Sequence, residues 1–121
     1  MFLALAVLTI RLEGGGALPV VHFINAASRN NPAPINLQIK AGGKWRGSPQ
    51  LSPGQDYGIR VEVDDVYFVV AVFGLRFTEF HAYEPARDKG RAAVYWRADN
   101  GGFAISHDKT HWKPVATWES E

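Results

Sequence analysis

Apolar residues in this chain recur with the period of a β-strand, and no long window repeats with the period of a helix, which confines the fold to one built from sheets. Tyr57, Ile59, Val61 and Val63 fall on one parity against Asp56, Gly58, Arg60, Glu62 and Asp64 on the other, as a strand with one buried and one wet face requires. Ile35, Leu37 and Ile39 repeat the pattern against Asn36, Gln38 and Lys40, after a turn at residues 30–34 that carries two prolines. Val66 to Leu75 is almost wholly apolar. That run predicts a central strand, covered on both faces or carrying the core of a two-layer stack, and excludes an exposed edge there.

The stretch from Ala93 to Trp118 is the densest in signals. Ala92, Val94, Trp96 and Ala98 share one parity, and Arg91, Tyr95 and Arg97 take the other. Asp99-Asn100-Gly101-Gly102 then supplies residues that tolerate a tight reversal, predicting a hairpin into Phe103, Ala104 and Ile105. Trp112 and Trp118 share a parity, so both rings are expected to face one layer and, with Trp96, to anchor the core. Gly 12 and Pro 7 are spread at short intervals, leaving connections too short for helical crossovers. The expected fold is all-β, a small antiparallel β-sandwich of about seven to eight strands.

At 121 residues the chain is long enough for one core and too short for two ordinary ones. Thirteen basic and twelve acidic side chains leave a net charge of +1, which argues against a nucleic-acid partner or attraction to an anionic membrane. The cysteine count of 0 fits a reducing compartment as well as an extracellular one. Phe2 to Ile10 is nine residues without a charge, too short to span a bilayer as a helix. It reads as the core of a signal peptide at residues 1–17, cleaved after Ala17 with Gly15 and Ala17 as the small residues of the site, leaving a domain at 18–121 and no inserted segment. An additional strand is the other reading of that run.

Histidines are the nearest approach to a chemical cluster. His107 and His111 bracket Asp108-Lys109-Thr110, with His81 and His22 elsewhere. On a helix the pair would share a face, but the stretch reads as a turn, so the spacing loses its ligating meaning and no metal site is expected. His22, inside an apolar strand, reads as a hydrogen-bonded structural residue. No serine sits in a nucleophile elbow, and Asp64-Asp65 reads as a solvated turn rather than an acid/base dyad. No catalytic residue, cofactor or metal ligand is therefore assigned. Trp45, between glycines and flanked by Lys44 and Arg46, suits an exposed interface anchor or a sugar-stacking platform. The charged loop Glu84 to Gly90 is a second candidate contact surface.

Several motifs together resemble one family. Val21-His22-Phe23-Ile24-Asn25, Leu51-Ser52-Pro53-Gly54-Gln55-Asp56-Tyr57, the apolar Tyr67 to Val72, the aromatic Phe80-His81-Ala82-Tyr83 and the Ala93 to Trp118 stretch follow, in order and spacing, those of the plant self-incompatibility S-protein homologues. The resemblance covers Val20 to Trp118. It implies a secreted, non-enzymatic β-sandwich that acts as an extracellular signalling ligand and binds a cell-surface receptor protein through hydrophilic loops; balanced charge and few exposed apolar runs suggest a monomer. Those loops would be Ala41 to Ser52, Asp64 to Asp65, Glu84 to Gly90 and Ser106 to Thr110, with Lys44, Trp45, Arg46, Asp64, Asp65, Arg87, Asp88 and Lys89 as contact residues. A carbohydrate-binding β-sandwich module using Trp45 is the alternative. That family usually carries four cysteines; the equivalent positions here fall near Lys40, Val70, Arg91 and Val94, with the valines expected to fill a bridge's space and Lys40 and Arg91 to face solvent. A disulfide's absence costs a small secreted domain about 2 to 5 kcal/mol, which the core must offset. Expressed in plant cells, the exported protein is expected to begin at Leu18 by N-terminal sequencing; an intact Met1 refutes the leader.

Overall fold

In β2 (Ile35–Ala41), Ile35, Leu37, Ile39 and Ala41 are buried while the residues between them are exposed, so the alternation read from the sequence is the alternation of the sheet. The computed structural model describes residues 18–28, 30 and 33–120; the leader assigned to 1–17 and part of the turn at 30–34 lie outside them. The other elements are β1 (Val20–Asn25), β3 (Lys44–Gly47), β4 (Gln50–Leu51), β5 (Asp56–Arg60), β6 (Tyr67–Phe73), β7 (Arg76–Tyr83), the single helical turn α1 (Pro85–Asp88), β8 (Ala93–Ala98), β9 (Gly102–Ser106), β10 (Lys113–Thr117) and β11 (Glu119–Ser120). Eight of these strands have five residues or more. The three added to the expected set, β3, β4 and β11, are too short for a period of two to register.

The strands form two sheets packed as a sandwich. One has the order β10-β9-β8-β1-β5; the other runs β11-β7-β6-β2-β3, with β4 also on β2. The expectation of purely antiparallel pairing fails at one place: β1 and β8 are parallel, from Val20 opposite Ala93 to Asn25 opposite Ala98. Strand direction depends on how many times the chain reverses between partners, here across both sheets, and no local alternation encodes that number. β6 lies inside its sheet between β2 and β7. It carries core on one face only: Tyr67, Val69, Ala71 and Phe73 are buried, whereas Phe68 and Val72 remain exposed outside.

A run of aromatic rings closes the two sheets on each other. Trp96 from β8 meets Phe80 from β7 at 4.4 Å between ring centres, Phe80 meets Phe103 at 4.6 Å, and Phe103 and Phe73 each meet Trp118 at 5.3 Å. Both indoles have partners for their N–H groups, Trp96 donating to the Ala82 carbonyl and Trp118 to that of Asp99, each at 2.8 Å, so burial leaves neither donor unpaired.

Trp112 departs from expectation. It lies half-buried beneath the Arg97 guanidinium, 4.3 Å from the ring centre, while Trp118 enters the core. The reason is a register shift between Pro114 and Ala116 in β10. A bulge adds a residue to one strand and so reverses which face the following side chains take. Of the positions equivalent to the family cysteines, Val94 is buried and Lys40 and Arg91 are exposed, as expected, but Val70 is only half-buried, on the parity of Phe68 and Val72 rather than in the core. His22 is hydrogen-bonded to Asp56 at 3.2 Å and stacks on Tyr95 at 4.9 Å, on the half-buried parity of β1 rather than in the interior.

The hairpin Asp99 to Gly102 forms as read, β8 pairing antiparallel with β9. Gly102 has φ of 149°, and a Cβ there would stand 1.9 Å from the Ala116 carbonyl oxygen, so the bulged strand can approach only a glycine. Gly102→Ala is expected to lower the free energy of unfolding by about 3 kcal/mol or more, measured by urea denaturation. Gly58→Ala, whose methyl would meet its neighbours at 3.4 Å, is expected to change it by less than about 1 kcal/mol.

Candidate functional site

The β2–β3 connection turns at Gly42 and Gly43, with φ of 58° and 75°, and this tight reversal lifts β3 to the edge of its sheet. Trp45 pairs across from Lys40 and is 65 % exposed, with the Lys40 ammonium 5.4 Å from its ring centre. Lys44 beside it is exposed. Arg46 turns inward: its Nε donates to the Ala41 carbonyl at 3.2 Å, and its guanidinium lies 5.6 Å over the Tyr67 ring and 3.8 Å from Asp65.

Two buried tyrosines position the β5–β6 turn that carries Asp64 and Asp65. The Glu62 amide donates to the Tyr67 oxygen at 2.9 Å, and the Tyr83 hydroxyl donates to the Val63 carbonyl at 3.1 Å. Burial, and next the negative charge of Asp88, raise the Tyr83 hydroxyl above its ordinary pKa, so it stays a donor. Asp64 accepts from the Lys89 ammonium at 2.8 Å, and that bond holds Lys89 above the usual lysine range.

α1 begins with Pro85 at its start, where a missing N–H costs nothing. Asp88 at its end is fully buried yet fully bonded. It accepts from Arg87 Nε at 2.8 Å and Nη2 at 2.6 Å, from the Glu84 amide at 2.9 Å and from His107 Nε2 at 2.8 Å. Burial alone would raise its pKa, but the hydrogen bonds from Arg87, the Glu84 amide and His107 outweigh it and hold the carboxyl below the ordinary range. Arg87 also donates to the His81 carbonyl at 3.0 Å and covers the Trp96 ring at 5.4 Å. His81 in turn pairs with Glu84.

The β9–β10 turn is built around Asp108, which accepts from the His111 amide at 2.8 Å, the His111 ring at 2.7 Å, the Thr110 amide at 2.8 Å and the Ser106 hydroxyl at 2.9 Å. Those bonds, the two from His111 foremost, hold its carboxyl far below the usual range. His107 and His111 thus each answer to a different carboxylate. Among the described residues, no three of His, Cys, Asp and Glu converge as a metal ion would require.

Two ion pairs, Arg46 to Asp65 and Lys89 to Asp64, and the hydrogen bond from His107 to Asp88 join these segments. All eight residues singled out from the sequence therefore meet on one continuous end of the sandwich, together with the β9–β10 turn. Their parts differ. Lys44, Trp45, Asp64 and Lys89 are exposed; Arg46 and Asp65 are half-buried against each other. Arg87 and Asp88 are structural, because Asp88 is enclosed and Arg87 is spent on Asp88, His81 and Trp96. A charged loop and a buried carboxylate with its cations look the same in one dimension; the Glu84-Pro85 pair was the one local sign of a helical turn. His81 and His107 are the partners that sequence reasoning did not pair.

Asp88→Asn is expected to cost about 3 kcal/mol, because it removes the charge that pairs with Arg87 and turns one of the two buried acceptor oxygens into an N–H donor facing other donors. A carboxyl with a depressed folded pKa stabilises above its unfolded value, about 3.9, and that stabilisation is lost as pH falls through the folded value. The parent protein should therefore lose stability below about pH 4 more steeply than Asp88→Asn, read from urea midpoints across an acid series.

No family model matches this chain, and no curated protein matches it in sequence. Its structure is similar to a solved structure of SPH (self-incompatibility protein homologue) proteins, described as a widespread family of small, highly stable, secreted proteins from plants. The two agree with a TM-score of 0.70 and 16 % identity, over 88 % of this chain and 100 % of the other. The chain has the β-sandwich fold of those SPH proteins.

Proposed function

We propose that this protein is a secreted, non-enzymatic plant signalling ligand that binds a cell-surface protein through the end of the sandwich bearing Trp45. The fold shared with secreted SPH proteins supports export, in line with the leader read at residues 1–17. Among the described residues, no helix is long and apolar enough to cross a membrane. The placement of Trp45 carries the reading. It is a large aromatic left 65 % exposed on a short edge strand, and large aromatics at the centre of a polar surface are the residues that anchor protein interfaces. Lys40 lies 5.4 Å from its ring centre and Lys44 is its exposed neighbour, and the Asp64–Lys89 pair at the same end adds both signs of charge, which set partner choice and orientation more than affinity. The arginine and ion-pair contacts beneath hold the surface in shape before binding, which lowers the ordering cost of association.

Labelled protein is expected to bind intact plant cells saturably and to be displaced by unlabelled protein. Trp45→Ala should weaken binding about 10-fold or more while leaving the circular dichroism spectrum unchanged. Binding lost after protease treatment of the cells but kept after enzymatic removal of surface glycans is the expected pattern. Loss to glycan removal alone would assign Trp45 to carbohydrate, and unaltered binding by Trp45→Ala would remove this surface from the interaction.

A further inference from the structure

Between the loop that follows α1 and the β9–β10 turn lies a cavity of about 340 Å³, lined in part by Arg87, Arg91, His107, Asp108, His111 and Lys113. That volume is at the small end of ligand sites, which run from about 300 to 1,000 Å³. Its charge is the informative property. Asp88, behind the wall, is paired with Arg87 and bonded by His107, while Asp108 turns its oxygens onto its own turn and the His111 ring but keeps its charge, which Arg91 and Lys113 together outnumber. Arg87 is correspondingly spent, and Lys109, on the same turn, lies against the Tyr95 ring at 5.1 Å. Arg91 and Lys113 are exposed, and neither is bridged to a carboxylate among the described residues.

The two histidines add a conditional charge. A carboxylate can only accept, so His107 must carry its proton on Nε2 and His111 on Nδ1. The remaining nitrogen of each ring is an acceptor while the ring is neutral and becomes a donor when the ring is protonated. We infer that this cavity binds an oxyanion, a carboxylate, phosphate or sulfate group of a small ligand, with Arg91 and Lys113 as its permanent cations and His107 and His111 as cations recruited by acid. Arg91 offers the planar fork that suits two oxygens of one such group. The assignment goes beyond the receptor reading, because contact through Trp45 does not require it.

Sulfate is the probe of choice, since its charge is constant over the range in which histidines titrate. The purified full chain is titrated with sodium sulfate at constant ionic strength, at about pH 5.5 and about pH 7.5, while NMR follows the Arg91 side chain and the His111 ring. Saturable shifts of both signals are expected, with affinity at least about 5-fold higher at the lower pH. Arg91→Gln together with Lys113→Gln should abolish saturation at either pH, and His111→Gln should shrink the pH effect while leaving the higher-pH affinity intact. Trp45→Ala should change nothing, which separates this site from the receptor surface. Phosphate and citrate titrated in parallel identify the preferred oxyanion by the tightest binding. Shifts that stay linear in sulfate, or that survive in the Arg91→Gln, Lys113→Gln variant, overturn the site; a pH effect undiminished by His111→Gln overturns the role of that histidine.

Discussion

The contact on which the rest of the structure depends is the burial of Trp96 between the sheets, its indole N–H bonded to the Ala82 carbonyl and its ring against Phe80. That bond ties β8 of one sheet to β7 of the other, and from Phe80 the aromatic contact passes through Phe103 to Trp118 and Phe73. Four such ring contacts are worth together about 2 to 6 kcal/mol beyond the area they bury. A disulfide in a small secreted domain is worth about 2 to 5 kcal/mol. A cysteine-free sandwich of this size therefore has, in its aromatic core, a stabilisation of the order that a bridge would have supplied.

The same core reaches the candidate site. Arg87 covers the Trp96 ring and grips Asp88, and Asp88 takes His107 from the β9–β10 turn. Tyr67 and Tyr83, fully or almost fully buried, send their oxygens to the loop before Asp64. Loops at this end are held by groups rooted in the interior, so the exposed side chains of Lys44, Trp45, Asp64 and Lys89 sit on a preorganised base. A buried carboxylate with every acceptor position engaged serves this purpose well: removing any one partner leaves a desolvated charge, which makes the arrangement strongly preferred over alternatives.

Much of this was legible in one dimension. β2 and the β8–β9 hairpin follow from parity and turn chemistry, because a half-buried strand imposes a period of two on its own residues, and β6 follows from its continuous apolar run, which hides which of its faces is inward. The segments 64–65 and 84–90 were also identified, as hydrophilic stretches between strands, whereas 41–52, expected as a loop, holds the short strands β3 and β4, so Lys44, Trp45 and Arg46 lie on a strand. What escaped had non-local causes. A bulge in β10 reversed the expected side of Trp112, and the parallel pairing of β1 with β8 reflects reversals spread across both sheets. Asp88 was indistinguishable from an exposed charge such as Lys89, since its partner His107 comes from the distant β9–β10 turn and the adjacent Arg87 reads, alone, as one more charge of the loop.

By itself, then, the order of residues determined the longer strands, the inward faces of those that alternate, the Asp99 to Gly102 turn and the sandwich class, all of which arise from sterics and hydrophobic burial within a few residues. The tertiary structure alone decided which strands became neighbours and in which direction, and that Asp88 is buried while Asp64 is wet. It also decided that Arg91, Lys113 and the two histidines share one cavity. Those outcomes depend on contacts between residues far apart in the chain, where long-range packing and the pairing of charges, rather than local preference, set the energy.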